Sequence, residues 1–122
     1  MTKILDSTLR DGSYAFGNSM PLVYVSKVAK CLDGVVDYIE VGSAISFGYG
    51  NQDSLKEDLI RLESVNKILK VSKSVIFVQP HLVENYTDWF NKIILFKPDL
   101  IRVGIDPELE NLNLKTFIEK CE

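Results

Sequence analysis

The sequence contains few of the residues that mark special classes of protein. It has two cysteines and one histidine in 122 residues, and no apolar run approaches the roughly 18 residues that cross a bilayer. Cys31 and Cys121 lie far apart, and the N-terminus lacks the basic-then-apolar pattern of a secretory signal. We therefore expect two free, buried thiols in a reducing cytoplasm, and no membrane as a partner.

Positive charge is scattered and forms no block. The formal net charge is -3, with 25% charged residues spread along the chain. This pattern lacks the basic footprint of a nucleic-acid-binding protein, so we expect no nucleic-acid partner. The 46% hydrophobic content and the length predict one globular domain over residues 1–122.

Short apolar runs alternate with helical patterns along the whole chain. Strands are predicted at 3–6, 35–41, 75–78 and 100–105. Amphipathic helices are predicted at 21–34, 54–69, 89–96 and 112–121, and glycine-rich loops at 12–19 and 42–53. Such alternation predicts an α/β fold with a parallel sheet covered by helices. No internal repeat is evident.

Two architectures fit this pattern. One is an open, doubly wound sheet of the flavodoxin type, and the other is four units of a (β/α)8 barrel, which in full needs about 250 residues. A polar residue near the C-terminal end of each strand favours the barrel; these residues are Asp6, Glu40, Gln79 and Arg102. They would point into the mouth of the barrel, where such enzymes have their active sites. A buried ion-pair network without chemistry is the alternative.

The segment L-D-S-T-L-R-D-G, residues 5–12, places a cation and an anion just beyond the first strand. The carboxylate of Asp11 can ligate a hard cation such as Mg²⁺ or Mn²⁺. The planar guanidinium of Arg10 can bind a carboxylate or a developing oxyanion. Together they predict a site for a 2-oxo acid. A solvated ion pair in an ordinary turn is the structural alternative.

Three segments together resemble one group of enzymes. L-D-S-T-L-R-D-G resembles the opening signature of the metal-dependent aldolase and lyase barrels, which include the 4-hydroxy-2-oxovalerate aldolases, hydroxymethylglutaryl-CoA lyase and isopropylmalate synthase. V-D-Y-I-E-V-G-S-A-I-S-F-G-Y-G and P-D-L-I-R-V-G-I-D, residues 36–50 and 98–106, resemble the second and fourth strands of the aldolases. The resemblance covers essentially the whole chain and implies a (β/α)4 half, the N-terminal one, of a TIM barrel.

The resemblance also implies an activity. It implies a metal-dependent carbon–carbon lyase that cleaves a 4-hydroxy-2-oxo acid through a pyruvate enolate, steadied by Arg10, with Asp11 as a ligand of Mn²⁺ or Mg²⁺. The sequence departs from the family in two places. It lacks the His-x-His metal ligands of a later strand, and Tyr14 stands where the aldolases carry a histidine. Tyr14 would donate a hydrogen bond or a proton, or else pack on Phe16.

Other residues predicted to contact the substrate lie at or beyond the strand ends; they are Glu40, Ser46, Gln79, His81 and Arg102. A half barrel has two unpaired strand edges. We therefore expect the 122-residue chain not to catalyse the reaction alone, but to join a second copy or a missing C-terminal half. A non-catalytic half-barrel binding or dimerisation module and an open flavodoxin-like domain are the alternatives, and the second lacks a glycine-rich phosphate loop.

Overall fold

The computed structural model describes residues 1–17, 19–45, 52–80, 87–105, 107–108 and 114–122. Within these residues four strands run at Leu5–Asp6 (β1), Tyr38–Ile45 (β2), Lys73–Val78 (β3) and Leu100–Val103 (β4). The α-helices of the same residues are Thr8–Ser13 (α1), Leu22–Leu32 (α2), Gln52–Ile68 (α3), Thr87–Leu95 (α4) and Leu114–Cys121 (α5). A short 3-10 turn at Tyr14–Phe16 follows α1. The predicted α/β alternation is confirmed.

The described strands form one sheet in which every pairing is parallel and the spatial order follows the chain, β1-β2-β3-β4. The first strand therefore lies at an edge. In a flavodoxin-like sheet the first strand lies inside, between the second and the third. The flavodoxin-like alternative is therefore wrong. A consecutive order with right-handed crossovers places successive helices on the same face of the sheet.

The helices and one face of the sheet enclose two apolar clusters. The first joins α1, α2 and α3 to β2 and contains Leu9, Met20, Val25, Ala29, Ile39, Val41, Leu62 and Val65. The second joins α3, α4 and α5 to β3 and contains Leu59, Ile76, Val78, Ile93 and Phe117. Burial of apolar surface contributes about 25 cal/mol per Å², so these clusters hold the helices against the sheet.

The opposite face of the sheet, here called the inner face, carries polar side chains. Glu40 lies between Ile39 and Val41, which pack against the helices, so its side chain points to the inner face. Phe77 and Arg102 are paired across β3 and β4 and share that face. The inner face therefore presents charged and aromatic groups near the C-terminal ends of the strands.

Three aspartates join the elements at the opposite, N-terminal end of the sheet. Asp33 accepts hydrogen bonds from the backbone N–H groups of residues 70, 71 and 72, at 3.0, 2.9 and 2.8 Å. Asp37 accepts one from Ile4 at 2.8 Å, and Asp99 accepts one from Ser74 at 2.9 Å. Each bond satisfies a backbone donor where a strand begins.

The segment after β1 differs from its prediction. Residues 12–19 were expected to form a loop because of Gly12 and Gly17, yet α1 extends through Gly12 to Ser13. Asp6 explains the difference, because its carboxylate accepts hydrogen bonds from the backbone N–H and the hydroxyl of Thr8, at 2.9 and 3.1 Å. A side-chain acceptor at this position satisfies a free donor of the first helical turn. Asp6 therefore caps α1 and is not among the residues that pair with Glu40.

The helix layer also contains a buried ion pair that the sequence patterns did not indicate. Asp58 and Arg61 of α3 are each only 1% exposed and contact each other. A Cβ atom on Gly42 would lie 2.6 Å from the Asp58 carboxylate, so only glycine fits beneath this pair. The register of β2 shifts between Glu40 and Gly42, which turns Gly42 toward the helix.

The structure bears on the expectations about the cysteines and about a membrane span. Cys31 and Cys121 are free, as predicted, but Cys31 is exposed and Cys121 is only partly buried, so the prediction of buried thiols was wrong. Burial still raises the pKa of the Cys121 thiol. Among the helices of the described residues, none has both the length and the apolar character needed to span a bilayer.

Candidate active site

A cluster of two arginines around one carboxylate lies at the C-terminal end of the sheet. Glu40 of β2 is completely buried. Arg102 of β4 donates from Nε to Oε1 at 2.6 Å and from Nη2 to Oε2 at 3.1 Å, a bidentate arrangement. Nε of Arg10, from α1, lies 2.8 Å from Oε2 of the same carboxylate. Three elements far apart in sequence therefore meet at Glu40.

Arg10 and Arg102 differ in how each contacts the carboxylate of Glu40. Arg102 donates two directed hydrogen bonds, whereas the Nε–H of Arg10 is buried and has no aligned acceptor among the described residues despite its short distance to Glu40. The contact of Arg10 is therefore an ion pair without a well-directed hydrogen bond at Nε. Its side chain remains 18% exposed, and that of Arg102 remains 42% exposed. Both guanidinium groups can thus contact Glu40 and still reach a ligand.

An aromatic ring lies beneath both guanidinium groups. The Cζ atom of Arg102 lies 4.4 Å from the centroid of the Phe77 ring, and the Cζ atom of Arg10 lies 5.1 Å from it. Both distances are within the range of cation–π attraction. A Cβ atom on Gly104 would lie 2.4 Å from this ring, so the glycine makes room for Phe77. Phe77 was not among the predicted site residues, because an apolar residue in a strand is ordinarily core.

Asp11 completes the charged surroundings of Arg10. Asp11 Oδ1 lies 2.9 Å from Nη2 of Arg10, and Oδ2 accepts a hydrogen bond from Ser7 Oγ at 2.8 Å. The pKa of Arg102 is raised, chiefly by its hydrogen bonds to Glu40, with smaller contributions in the same direction from Asp11 and Tyr14. Arg102 therefore stays protonated beside the carboxylate of Glu40.

Gln79 follows β3 at the same end of the sheet. Its side chain is nearly buried, and its Oε1 atom has no hydrogen-bond partner among the described residues. A Cβ atom on Gly104 would lie 3.4 Å from Cγ of Gln79, which places the amide beside the Phe77 ring. A buried acceptor without a donor is costly, so this oxygen is a ready acceptor for a ligand hydroxyl or a water molecule.

The structure brings together four of the predicted site residues, namely Arg10, Asp11, Glu40 and Arg102, and Tyr14 lies on the 3-10 turn that follows α1. Gln79 lies beside them. Ser46 and His81 lie outside the described residues. Arg10 and Asp11 come from a helical turn instead of the predicted loop, yet they lie at the predicted end of the sheet. The chemistry available here is the binding of an anion by two fixed guanidinium groups.

The described residues do not by themselves form a metal site. No group of three or more His, Cys, Asp or Glu side chains among them is arranged to hold a metal ion. Both carboxylate oxygens of Asp11 already contact Arg10 or Ser7, and the carboxylate of Glu40 is engaged by two arginines. Asp11 could therefore supply at most one carboxylate ligand from among the described residues. A lone carboxylate leaves Mg²⁺ mostly hydrated and weakly held.

A cavity of about 440 Å³ lies elsewhere, beside β4 and α5. Its walls are mainly apolar and include Ile101, Val103 and Phe117. None of the residues of the arginine–glutamate cluster lines it. We assign the candidate active site to the cluster, because several polar side chains converge there on one carboxylate at the C-terminal end of the described sheet.

Comparisons with known proteins do not assign the chain to a family. A scan of the chain against models of protein families gives no match, and a search of curated proteins gives no significant match.

Proposed function

We propose that this chain is the N-terminal half of a (β/α)8 barrel lyase, which cleaves a 4-hydroxy-2-oxo acid into pyruvate and an aldehyde. The observation that carries the proposal is the convergence of Arg10 and Arg102 on the buried Glu40 at the C-terminal end of a parallel sheet. Barrel enzymes have their active sites at that end. The consecutive strand order and the polar inner face support the barrel.

The reaction needs a negative charge to be stabilised as it forms. A base removes the proton of the substrate's C4 hydroxyl, the C3–C4 bond breaks, and its electron pair forms the enolate of pyruvate while the aldehyde leaves. The enolate then takes a proton at C3. Free N–H groups of Arg10 stabilise the enolate oxygen, and Arg102 holds the carboxylate of the substrate. Because Glu40 fixes both guanidinium groups beforehand, little reorganisation is needed during the reaction.

The other predicted residues have supporting parts in this proposal. Tyr14, on the 3-10 turn, donates a hydrogen bond or a proton to the substrate. Gln79 accepts a hydrogen bond from a substrate hydroxyl through its unpartnered oxygen. Ser46 and His81, on segments beyond β2 and β3, remain proposed as substrate-binding residues.

Asp11 is proposed as one ligand of a divalent cation, Mn²⁺ or Mg²⁺. A bound cation would polarise the oxygens of the 2-oxo acid. Its further ligands would have to come from outside the described residues, in keeping with a second set of strands opposite the inner face. We place the protein in the cytoplasm, where a free, exposed Cys31 stays reduced.

A non-catalytic binding or dimerisation module is the second candidate. The observation that favours it is the charge balance of the cluster, because Arg10 and Arg102 are matched by Glu40 and Asp11 without any ligand. A network of this kind can serve structure alone.

Calorimetric titration with oxalate, which mimics the pyruvate enolate, separates the two candidates. For a lyase we expect oxalate to bind at millimolar concentration or tighter, and Mn²⁺ to strengthen its binding. Arg10→Lys should weaken oxalate binding at least tenfold, because lysine lacks the planar pair of donors. Asp11→Asn should abolish the effect of Mn²⁺ without weakening the binding of oxalate alone, because it removes the carboxylate that competes with oxalate for Arg10.

The control is Lys67→Gln, which removes a cation from the exposed side of α3. It should bind oxalate as the unchanged protein does, and circular dichroism should show that all variants are folded. Absence of oxalate binding at millimolar concentration, with and without Mn²⁺, would leave only the module. Equal binding by Arg10→Lys would remove Arg10 from the site.

A further inference from the structure

Strands β2 and β4 share most of a six-residue sequence. Residues 37–42 read D-Y-I-E-V-G and residues 99–104 read D-L-I-R-V-G, so they differ only at Tyr38/Leu100 and Glu40/Arg102. The spacing is 62 residues, the separation of the Glu40–Arg102 ion pair. The two divergent charges therefore occupy equivalent positions and bind each other. Four identical residues in six positions are too few for the sequence alone to reveal the repeat.

The structure extends the repeat to the preceding strands. Asp37 accepts a hydrogen bond from the backbone of Ile4 at 2.8 Å, and Asp99 accepts the same bond from Ser74 at 2.9 Å. The pairing registers agree as well, with Leu5 opposite Tyr38 in the first half and Val75 opposite Leu100 in the second. Strand β3 is thus the equivalent of β1, and β4 is the equivalent of β2.

Equivalence of the strands predicts what fits on the free edge of β4. Strand β2 is covered on its far edge by β3, in a register that places Tyr38 opposite Lys73 and Ile39 opposite Ser74. The matching edge of β4 has no partner strand among the described residues. Because β1 pairs with β2 in the register in which β3 pairs with β4, the β1 strand of a second copy can occupy this edge as β3 occupies the edge of β2.

We propose that two copies of this chain associate through reciprocal pairing of β1 with β4 and close an eight-stranded parallel barrel, four strands from each copy. The pairing repeats the register of β2 and β3. Lys3 of one copy therefore lies opposite Leu100 of the other, and Ile4 lies opposite Ile101.

The apolar surfaces on the two edges are complementary. Ile4 is 54% exposed at the start of β1, although its equivalent in β3, Ser74, is completely buried. The apolar cavity of about 440 Å³ beside β4 is lined by Ile101, the residue that Ile4 of a second copy would face. Insertion of Ile4 into this cavity would remove the side chains of Ile4 and Ile101 from water.

The charges of the inner face permit this closure. Closing the barrel brings the two inner faces together, so an unbalanced charge there would oppose association. Each copy has Arg10 and Arg102 matched by Glu40 and Asp11 in direct ion pairs. In this dimer the second copy occupies the place of a C-terminal half. The association is tested apart from the proposed reaction, because a dimer that fails to bind oxalate would refute the lyase and leave the association intact.

Size-exclusion chromatography with light scattering measures the association. We expect a mass of twice the 13.8 kDa chain at micromolar concentration. Ile4→Lys should raise the dissociation constant at least tenfold, because it removes the apolar side chain that would fill the cavity against Ile101. The control is Val71→Lys, at an exposed residue of the loop before β3, which has partner strands on both sides. A monomer at all concentrations, an open series of larger species, or equal effects of the two variants would overturn the proposal.

A disulfide tests the register. Lys3→Cys with Leu100→Cys, in a background of Cys31→Ser and Cys121→Ser, should give a covalent dimer on mild oxidation. Within one copy β1 and β4 are separated by two strands, and the pairing registers also offset these two positions along the strands, so they lie well beyond the roughly 7 Å between Cα atoms that a disulfide can span. Lys3→Cys with Val103→Cys is the mismatched control. Crosslinking of the control as readily as of the matched pair would overturn the register, and absence of covalent dimer from the matched pair would overturn the pairing.

Discussion

At the scale of single residues, Glu40 decides the geometry of the candidate site. It is completely buried and contacts both Arg10 and Arg102. An unpaired carboxylate in this position would cost several kcal/mol, so the arginines and the glutamate require one another. Phe77 adds a shared surface for the two guanidinium groups, and Gly104 leaves the space that its ring needs.

Glu40→Gln keeps the shape of the side chain and removes its charge. We expect the free energy of unfolding to fall by about 3 kcal/mol, because the variant removes the buried carboxylate that pairs with Arg102 and leaves Arg10 paired with Asp11 alone. Urea denaturation measures the change.

The matched control is Glu63→Gln, which breaks the exposed ion pair of Glu63 and Lys67 one turn apart on α3. A surface pair of this kind contributes only about 0.3–0.5 kcal/mol. If the two variants lose the same stability, Glu40 does not organise the cluster.

At the scale of elements, aspartates at the N-terminal end of the sheet fix where the strands begin. Asp33 follows α2 and accepts three backbone hydrogen bonds from the segment that enters β3. These bonds lower the pKa of Asp33 from its usual 3.8, with the bond from Ser72 as the largest cause. The pKa of Asp37 is also lowered, first by the backbone bond from Ile4 and then by Lys3.

A lowered pKa in the folded state ties stability to pH with a definite sign. The contribution of Asp33 is present in full above its unfolded value of 3.8 and is lost as the pH falls through its lower folded value. Asp33→Asn should therefore lower the melting temperature at neutral pH. The difference from the unchanged protein should shrink steadily as the pH falls below 3.8.

Thermal melts followed by circular dichroism between neutral and strongly acidic pH measure this difference. Glu119→Gln, at an exposed position of α5, is the control. At each pH its melting temperature should stay close to that of the unchanged protein. A difference for Asp33→Asn that persists undiminished at the lowest pH would contradict the role of the ionised carboxylate.

At the scale of the whole molecule, the sheet has helices on one face and an open polar inner face. Its two edge strands, β1 and β4, each have one neighbour among the described residues. Exposed sheet edges invite pairing with another chain. The repeat within the chain specifies which partner fits, because β1 is an equivalent of the strand that already covers β2.

Association of this kind makes stability depend on protein concentration. If two copies close one barrel, the melting temperature should rise by several degrees between about 1 and 100 µM chain, since mass action favours the folded dimer. Ile4→Lys should remove this dependence, and Val71→Lys should keep it. Differential scanning calorimetry at several concentrations measures the effect, and a constant melting temperature for the unchanged protein would argue against the dimer.

The sequence by itself determined the α/β alternation, the parallel sheet, and the placement of Arg10, Glu40 and Arg102 at one end of it. These follow from local periodicity, because side chains alternate along a strand and parallel strands end at the same edge. Tertiary structure alone decided that Arg10 and Arg102 share one carboxylate, that Phe77 lies beneath them, and that α1 replaces a loop. Those features depend on the register between strands and on contacts between distant residues, which no local pattern in the sequence records.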